Sequence, residues 1–370
     1  MKRFGIVSYN MYCSFTNYGS ALQMYANHRI LNEISPDIEG IVVDYCPEVL
    51  AGRNPLNPYA HMWDQDEESR KQCEMTMPAI LENYTKFQTF FSKYYKLSSK
   101  KYTKNNFNES LTLENLDGYL CGGDTIFDIT EFKGFDDGYY ANFECMKNSH
   151  TIAFGASFGD GIFSDSDYDE LKKRLMNFKA LGVRETTNIE FIKANSAIPV
   201  KKVLDPTLLF TQNDYECITA ERIIEEPYIL LYSRRYNKNM EEYADKLAEK
   251  LGCKVVEISL RAVNKDKHTM FYEAGIEEFL SLIKYSEYCV TNSFHGAIFS
   301  AIFHKDFNIF TRTGCNKKID ELLETLGLSD RQMVTGNEKR SDSIDFQKME
   351  ERLNNYRKES IQFLKKSLGV

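Results

Sequence analysis

Two hydrophobic periods alternate along the chain. Short runs that are continuously apolar or β-branched are separated by stretches in which apolar residues recur at i, i+3 and i+4. In the first half the short runs are FGIVSY (4–9), GIVVDY (40–45), GYLCGG (118–123), HTIAFGAS (150–157), LGVRE (181–185) and VKKVLDP (200–206). Residues 20–33, 79–94 and 167–179 between them have the helical spacing. Apolar strands separated by helices predict a parallel sheet covered on both faces. The second half starts the pattern again. PYILLYS (227–233), CKVVEIS (253–259), YCVTNS (288–293) and FNIFTR (307–312) read as strands. Residues 239–252, 275–287, a segment from His295 and 317–327 read as helices, the first of them stopped by Gly252. The expected fold is α/β, with two doubly wound domains facing a cleft. The first covers 1–215, with a loop insertion at about 52–77, and the second covers 216–344. Phe346, Met349, Leu353, Tyr356, Phe363, Leu364 and Leu368 form one stripe, which predicts a C-terminal helix within 345–370 packing back across the domains.

Length supports this division, since 370 residues at roughly 150 per domain make two. Charge narrows the partners: 46 Lys and Arg against 54 Asp and Glu leave a net −8, and no basic block suggests nucleic acid. No apolar stretch approaches the roughly 20 residues that span a bilayer, and the first strand is too short for a signal-peptide core. A cytoplasmic protein is expected, with room for peripheral association at the inner face of the membrane. The nine cysteines form no C-x-x-C pair, as expected of reduced, mostly buried thiols. The six histidines are dispersed, so no metal site is expected.

In open parallel sheets, ligands bind beyond the carboxyl ends of strands where the strand order reverses. Polar residues at five strand ends are therefore the candidates. Asn17, Tyr18 and Gly19 open a helix whose free N–H groups suit an anion or a hydroxyl-rich ligand, unless they form a plain turn. Gly122 and Gly123 allow close backbone approach, and Asp124 presents a carboxylate or caps a helix. GASFGDG (155–161) sets Ser157 among three glycines without the G-x-G-x-x-G spacing, and G-x-x-x-x-G-K-[ST] is absent. Arg184 either clamps a carboxylate or phosphate or pairs structurally with Glu185. Nearby, Asp205 ends a strand that Pro206 prevents from continuing. Thr291, Asn292 and Ser293 can cap a helix that begins with His295 and Gly296, where the helix N-terminus favours an anion.

Taken together, these elements resemble the polysaccharide pyruvyl transferase family. Its N-Y-G-x-x-L-Q element matches Asn17, Tyr18, Gly19, Leu22 and Gln23. The G-S-D-Q, S-F-G, V-R-E, D-P-T-L-L and S-F-H-G elements match 122–125, 157–159, 183–185, 205–209 and 293–296, in family order over nearly the whole chain. The resemblance implies two Rossmann-like domains similar to GT-B glycosyltransferases. It also implies transfer of pyruvate from phosphoenolpyruvate to a free or lipid-linked saccharide, forming a ketal across two hydroxyls without a metal. On the donor side it implies Arg184 and His295, and Ser293, Gly296, Arg312 and Lys318 are further donor-side candidates. On the acceptor side it implies Asn17, Tyr18, Gly19, Gln23, Gly122, Gly123 and Ser157. His295 would move protons, with Asp124 and Asp205 supporting positive charge.

Three departures stand out. Residues 122–125 are Gly-Gly-Asp-Thr, Ser293 stands where R-L-H-G members carry arginine, and Lys318 replaces a frequent arginine. A second donor-binding cation is then expected from Arg312 or from Arg234 and Arg235. The expected function is pyruvyl transfer to a sugar of a cell-surface or capsular polysaccharide precursor. The alternatives are a GT-B-type glycosyltransferase using a nucleotide sugar and a non-catalytic saccharide-binding protein.

Overall fold

The computed structural model describes residues 1–9, 12, 16–57, 67–159, 161–311, 316–338 and 343–370. The first sheet contains β1 (Lys2–Val7), β2 (Ile38–Tyr45), β3 (Leu97–Tyr102), β4 (Gly118–Cys121), β5 (His150–Ala156), β6 (Leu181–Val183) and β7 (Val200–Lys202). They pair in parallel in the order β3-β2-β1-β4-β5-β6-β7. The second contains β8 (Tyr228–Tyr232), β9 (Lys254–Ile258), β10 (Thr269–Met270), β11 (Tyr288–Thr291), β12 (Phe307–Phe310) and β13 (Gln332–Met333). Its order, β10-β9-β8-β11-β12-β13, is again wholly parallel. Two Rossmann-like domains thus face a cleft, the GT-B arrangement.

The central strands form because their residues are buried on both faces, as in YILLY of β8, where every residue is buried. The edge strand β3 reads LSSKKY, and its exposed serine and lysines discourage further pairing. That polar pattern gives no strand signal in the sequence, and β10 and β13, at two residues each, are too short to give one. The expected loop at 52–77 is corrected in part. Glu67–Glu74 is a helix, held by exposed i,i+4 polar pairing such as Gln72 with Glu68 rather than by an apolar stripe. Residues 58–66 of that stretch lie outside the described residues.

The C-terminal helix, Phe346–Leu368, crosses both domains. Met349, Leu353, Leu364 and Leu368 are buried, whereas Tyr356 is 41% exposed and Arg357 takes the buried position beside it. Arg357 Nε donates to Leu208 O at 2.7 Å, and Ser360 Oγ accepts from the Leu204 amide at 3.0 Å. Arg352 donates to Glu324 O at 3.0 Å on the second domain. The domains also share an aromatic contact: Tyr18 stacks on Phe279 with centroids 4.4 Å apart. No described helix is long and apolar enough to cross a membrane.

Candidate active site

Strand order reverses beside the first strand of each sheet, so crevices open past β1 and β4 and past β8 and β11. Asn17 follows β1 and caps the helix Tyr18–Glu33, accepting from the amides of Gly19 and Ser20 at 3.1 and 3.3 Å. This helix start meets the helix Phe294–Ile302 of the other domain, which Ser293 caps by accepting from the Gly296 amide at 3.2 Å. The meeting is close: a Cβ on Gly19 would fall 2.0 Å from His295 Nδ1. Glycine is therefore required for the ring to lie there.

Asp205 joins the elements. Its carboxylate accepts from Arg184 Nη1 at 2.7 Å, from the Thr207 amide at 3.0 Å, from Thr207 Oγ1 at 2.6 Å and from Gln23 Nε2. His295 Nε2 lies 3.5 Å from Asp205 Oδ2. Arg184, at the end of β6, has Nη2 3.9 Å from Asp124 and 3.8 Å from Glu185, with its guanidinium 5.0 Å above the Phe294 ring. Asp124 adopts φ 57° immediately after Gly123 at φ 88°, and its carboxylate accepts from Ser20 Oγ. A left-handed non-glycine residue stores backbone strain, here beside Arg184. Ser157 donates to Glu185, and Lys318 Nζ is 6.0 Å from the Phe294 ring.

The buried charges shape one another. Burial disfavours ionised Asp205, but the imidazole of His295 at 3.5 Å, then the Arg184 guanidinium, hold its pKa well below the usual carboxylate value. Burial likewise opposes ionisation of Asp124 and is outweighed by Arg184, His295 and Lys318. Burial wins at Glu185 and at Glu131, raising both. The Arg184 guanidinium is favoured by Asp205, Glu185 and Asp124 against its own burial. Arg184 Nε and Nη2 and His295 Nε2 are buried and lack a hydrogen-bond partner among the described residues. Buried polar atoms are rarely left so. Beside Arg184 a cavity of about 250 Å³ opens between Asp205, Phe294, Lys318, Glu321 and Tyr356.

The structure thus gathers Gly19, Gln23, Asp124, Arg184, Asp205 and His295 in one cluster, with Lys318 at its edge. Tyr18 is buried between the domains, its hydroxyl donating to Ala274 O at 2.6 Å. Gly122 packs on the β5 backbone, and Gly296 packs on Thr291 and Tyr232. Arg312 lies outside the described residues. Arg234 and Arg235 follow β8; Asn292 accepts from the Arg234 amide at 2.8 Å and donates to Arg235 O at 2.7 Å. Sequence reasoning gave no role to Ser20, which stands at a variable position of its motif, or to Thr207 of the D-P-T-L-L element. Among the described residues no group of three metal-ligating side chains occurs.

The profile of the polysaccharide pyruvyl transferase family matches residues 17–313. No curated protein sequence is similar enough to count as a match. Among solved structures, the Methanocaldococcus jannaschii UDP-GlcNAc 2-epimerase in complex with UDP-GlcNAc and UDP is 14% identical with a TM-score of 0.50. The alignment covers 96% of this chain and 92% of that one. A putative UDP-N-acetylglucosamine 2-epimerase from Listeria monocytogenes is 12% identical with a TM-score of 0.50, over 98% and 90% of the two chains. Likeness at such identity shows a shared fold.

Proposed function

The chain belongs to the polysaccharide pyruvyl transferase family, and we propose that it moves pyruvate from phosphoenolpyruvate onto two hydroxyls of a saccharide. The observation that carries this reading is the pairing of Arg184 with His295 around Asp205. Arg184 Nε and Nη2 and His295 Nε2 are buried there without a hydrogen-bond partner among the described residues, although carboxylates lie within 4 Å of Nη2 and Nε2.

Arg184 binds an anionic group of the donor in a fixed fork. His295 delivers a proton to the methylene carbon, making it a methyl, while a sugar hydroxyl attacks the adjacent carbon and returns its proton to the imidazole. Phosphate leaves with its bonding pair. The second hydroxyl then closes the ketal, and its proton goes to phosphate. Positive charge developing at the central carbon is met by Asp124 and Asp205, both held ionised. Asp205 also positions the imidazole and the guanidinium. The cavity beside Arg184 offers room for the saccharide, and a polysaccharide precursor, free or on a lipid diphosphate, is the class of acceptor implied.

Phosphate release from phosphoenolpyruvate over a panel of lipid-linked and synthetic disaccharides tests the proposal. Turnover that requires an acceptor and disappears in a folded His295→Ala variant is expected. Full turnover in that variant removes His295 from the chemistry.

A second reading, a GT-B-type enzyme using a nucleotide sugar, is favoured by the fold shared with epimerases solved with UDP-GlcNAc. Thermal shift separates the two, because a ligand that binds only the folded state raises its melting temperature. Stabilisation by UDP-GlcNAc with none by phosphoenolpyruvate would select the second.

A further inference from the structure

Arg184 and its cavity lie past β6, toward one side of the carboxyl edge of the first sheet. A second cavity, of about 280 Å³, opens toward the other side, past β2. It is lined by Tyr45, the last residue of β2, and by residues 132–137, in the connection that follows β4 and Asp124. Four strand spacings separate β2 from β6, about 19 Å for strands about 4.8 Å apart. The second cavity is therefore separate from the Arg184 site, but it opens on the same edge of the same sheet.

Its floor is apolar and its rim is polar. Tyr45, Phe132 and Phe143 are buried beneath it, and Phe135 stands half-buried at its wall. Asp136 Oδ1 accepts from the Tyr45 hydroxyl and from the Gly138 and Tyr139 amides, each at 3.0 Å. Its Oδ2 accepts from the Tyr45 hydroxyl alone among the described residues, so lone pairs remain on it. Glu48 is paired with Lys104 at 2.9 Å and Asp137 with Arg174 at 2.8 Å. Lys133 is exposed and makes no ion pair among the described residues. Three carboxylates are thus matched by Lys104, Lys133 and Arg174, which leaves no net charge to select a phosphate or an organic cation. An apolar floor under a rim of acceptors and donors is complementary to a sugar ring, with its C–H face and its hydroxyl edge. Short contacts tie the cavity to the strand ends of the site. Thr125, next to Asp124, donates to Glu131 at 2.7 Å, and the Phe132 ring that follows meets Tyr9, just past β1, at 5.2 Å.

We propose that this cavity is a second saccharide subsite, in which Phe135 and Asp136 hold a distal unit of an acceptor chain whose modified sugar lies beside Arg184. The proposal rests on the reading of the acceptor as a saccharide. Several sugar units are needed to span the two cavities, so the acceptor is an oligosaccharide or polysaccharide chain. Shorter acceptors occupy the first cavity alone and bind more weakly.

A glycan array running from monosaccharides to octasaccharides, probed with the full chain and no donor, tests it. Calorimetry then compares the best-bound long glycan with its own disaccharide. The wild type is expected to bind the long glycan about 10-fold or more tightly than the disaccharide. Asp136→Asn and Phe135→Ala should each weaken the long glycan about 10-fold, as for loss of a hydrogen bond to a charged group, and leave the disaccharide unchanged. If either variant fails to fold, Lys133→Gln, at an exposed position, should weaken the long glycan several-fold. Equal affinity for long and short glycans, no glycan binding by the wild type, or unchanged long-glycan affinity in the folded variants overturns the subsite. Length-dependent binding lost in the variants, without phosphate release from phosphoenolpyruvate, keeps the subsite and rejects pyruvyl transfer. Acceptor-dependent phosphate release with unaltered variants does the reverse, so the two proposals fail separately.

Discussion

At the scale of single residues, the site depends on one missing side chain and one carboxylate. Gly19→Ala places a methyl 2.0 Å from His295 Nδ1, so the ring must move. Overpacking of this kind costs about 1–3 kcal/mol, and a misplacement near 1 Å costs about 100-fold in rate. The expected outcome is a folded variant whose phosphate release falls about 100-fold; unaltered turnover would show that the ring's place is not critical. Asp205→Asn removes the partner of a buried guanidinium and should destabilise by about 3–5 kcal/mol at pH 7. The folded-state pKa of Asp205 lies below its unfolded value. Its stabilisation is therefore present above the unfolded pKa near 4 and lost as pH falls through the lower, folded one. Urea melts of the two proteins should diverge at neutral pH and converge in acid, and a gap independent of pH would contradict the linkage. Sequence alone marked Gly19, Arg184, Asp205 and His295, because each follows or opens an element at a strand end. It did not show that Gln23, read as an acceptor contact, donates to Asp205, since a buried glutamine within a helix has no local signature.

At the scale of elements, long apolar strands and striped helices were legible, and polar or two-residue edge strands were not. The C-terminal helix shows the limit. Its period was clear, yet a tyrosine and an arginine exchanged their expected places, because Arg357 satisfies carbonyls that an apolar side chain cannot. Its guanidinium donates to Leu208 O, to Phe210 O at 3.4 Å and to Glu350 at 2.6 Å. Leu208 lies in the turn Pro206–Leu209 that Asp205 caps, so the helix braces the Asp205 carboxylate from behind. Arg357→Met should cost about 3 kcal/mol in urea denaturation, because it strands two carbonyls and deprives the half-buried Glu350 carboxylate of its partner. A loss below about 0.5 kcal/mol, within the range of ordinary surface substitutions, would mean the brace is slack.

At the scale of the whole molecule, two domains of this kind are expected to move independently unless a large apolar interface joins them. Here one apolar core runs through both: Phe4, Leu22 and Leu31 of the first domain are continuous with Phe279, Leu280 and Ala297 of the second and with Leu364 of the last helix. Tyr18 lies in that seam, stacked on Phe279 and hydrogen-bonded to Ala274 O. Because Tyr18 immediately precedes Gly19, the seam that joins the domains also sets the approach of Gly19 to His295. Scanning calorimetry of the wild type should therefore show one transition, with calorimetric and van't Hoff enthalpies in agreement. Tyr18→Ala removes a buried aromatic, at a cost of about 3–5 kcal/mol. It should broaden or split that transition while lowering turnover. Two well-separated transitions in the wild type would show instead that the domains fold independently and that the site is assembled only when substrate closes the cleft.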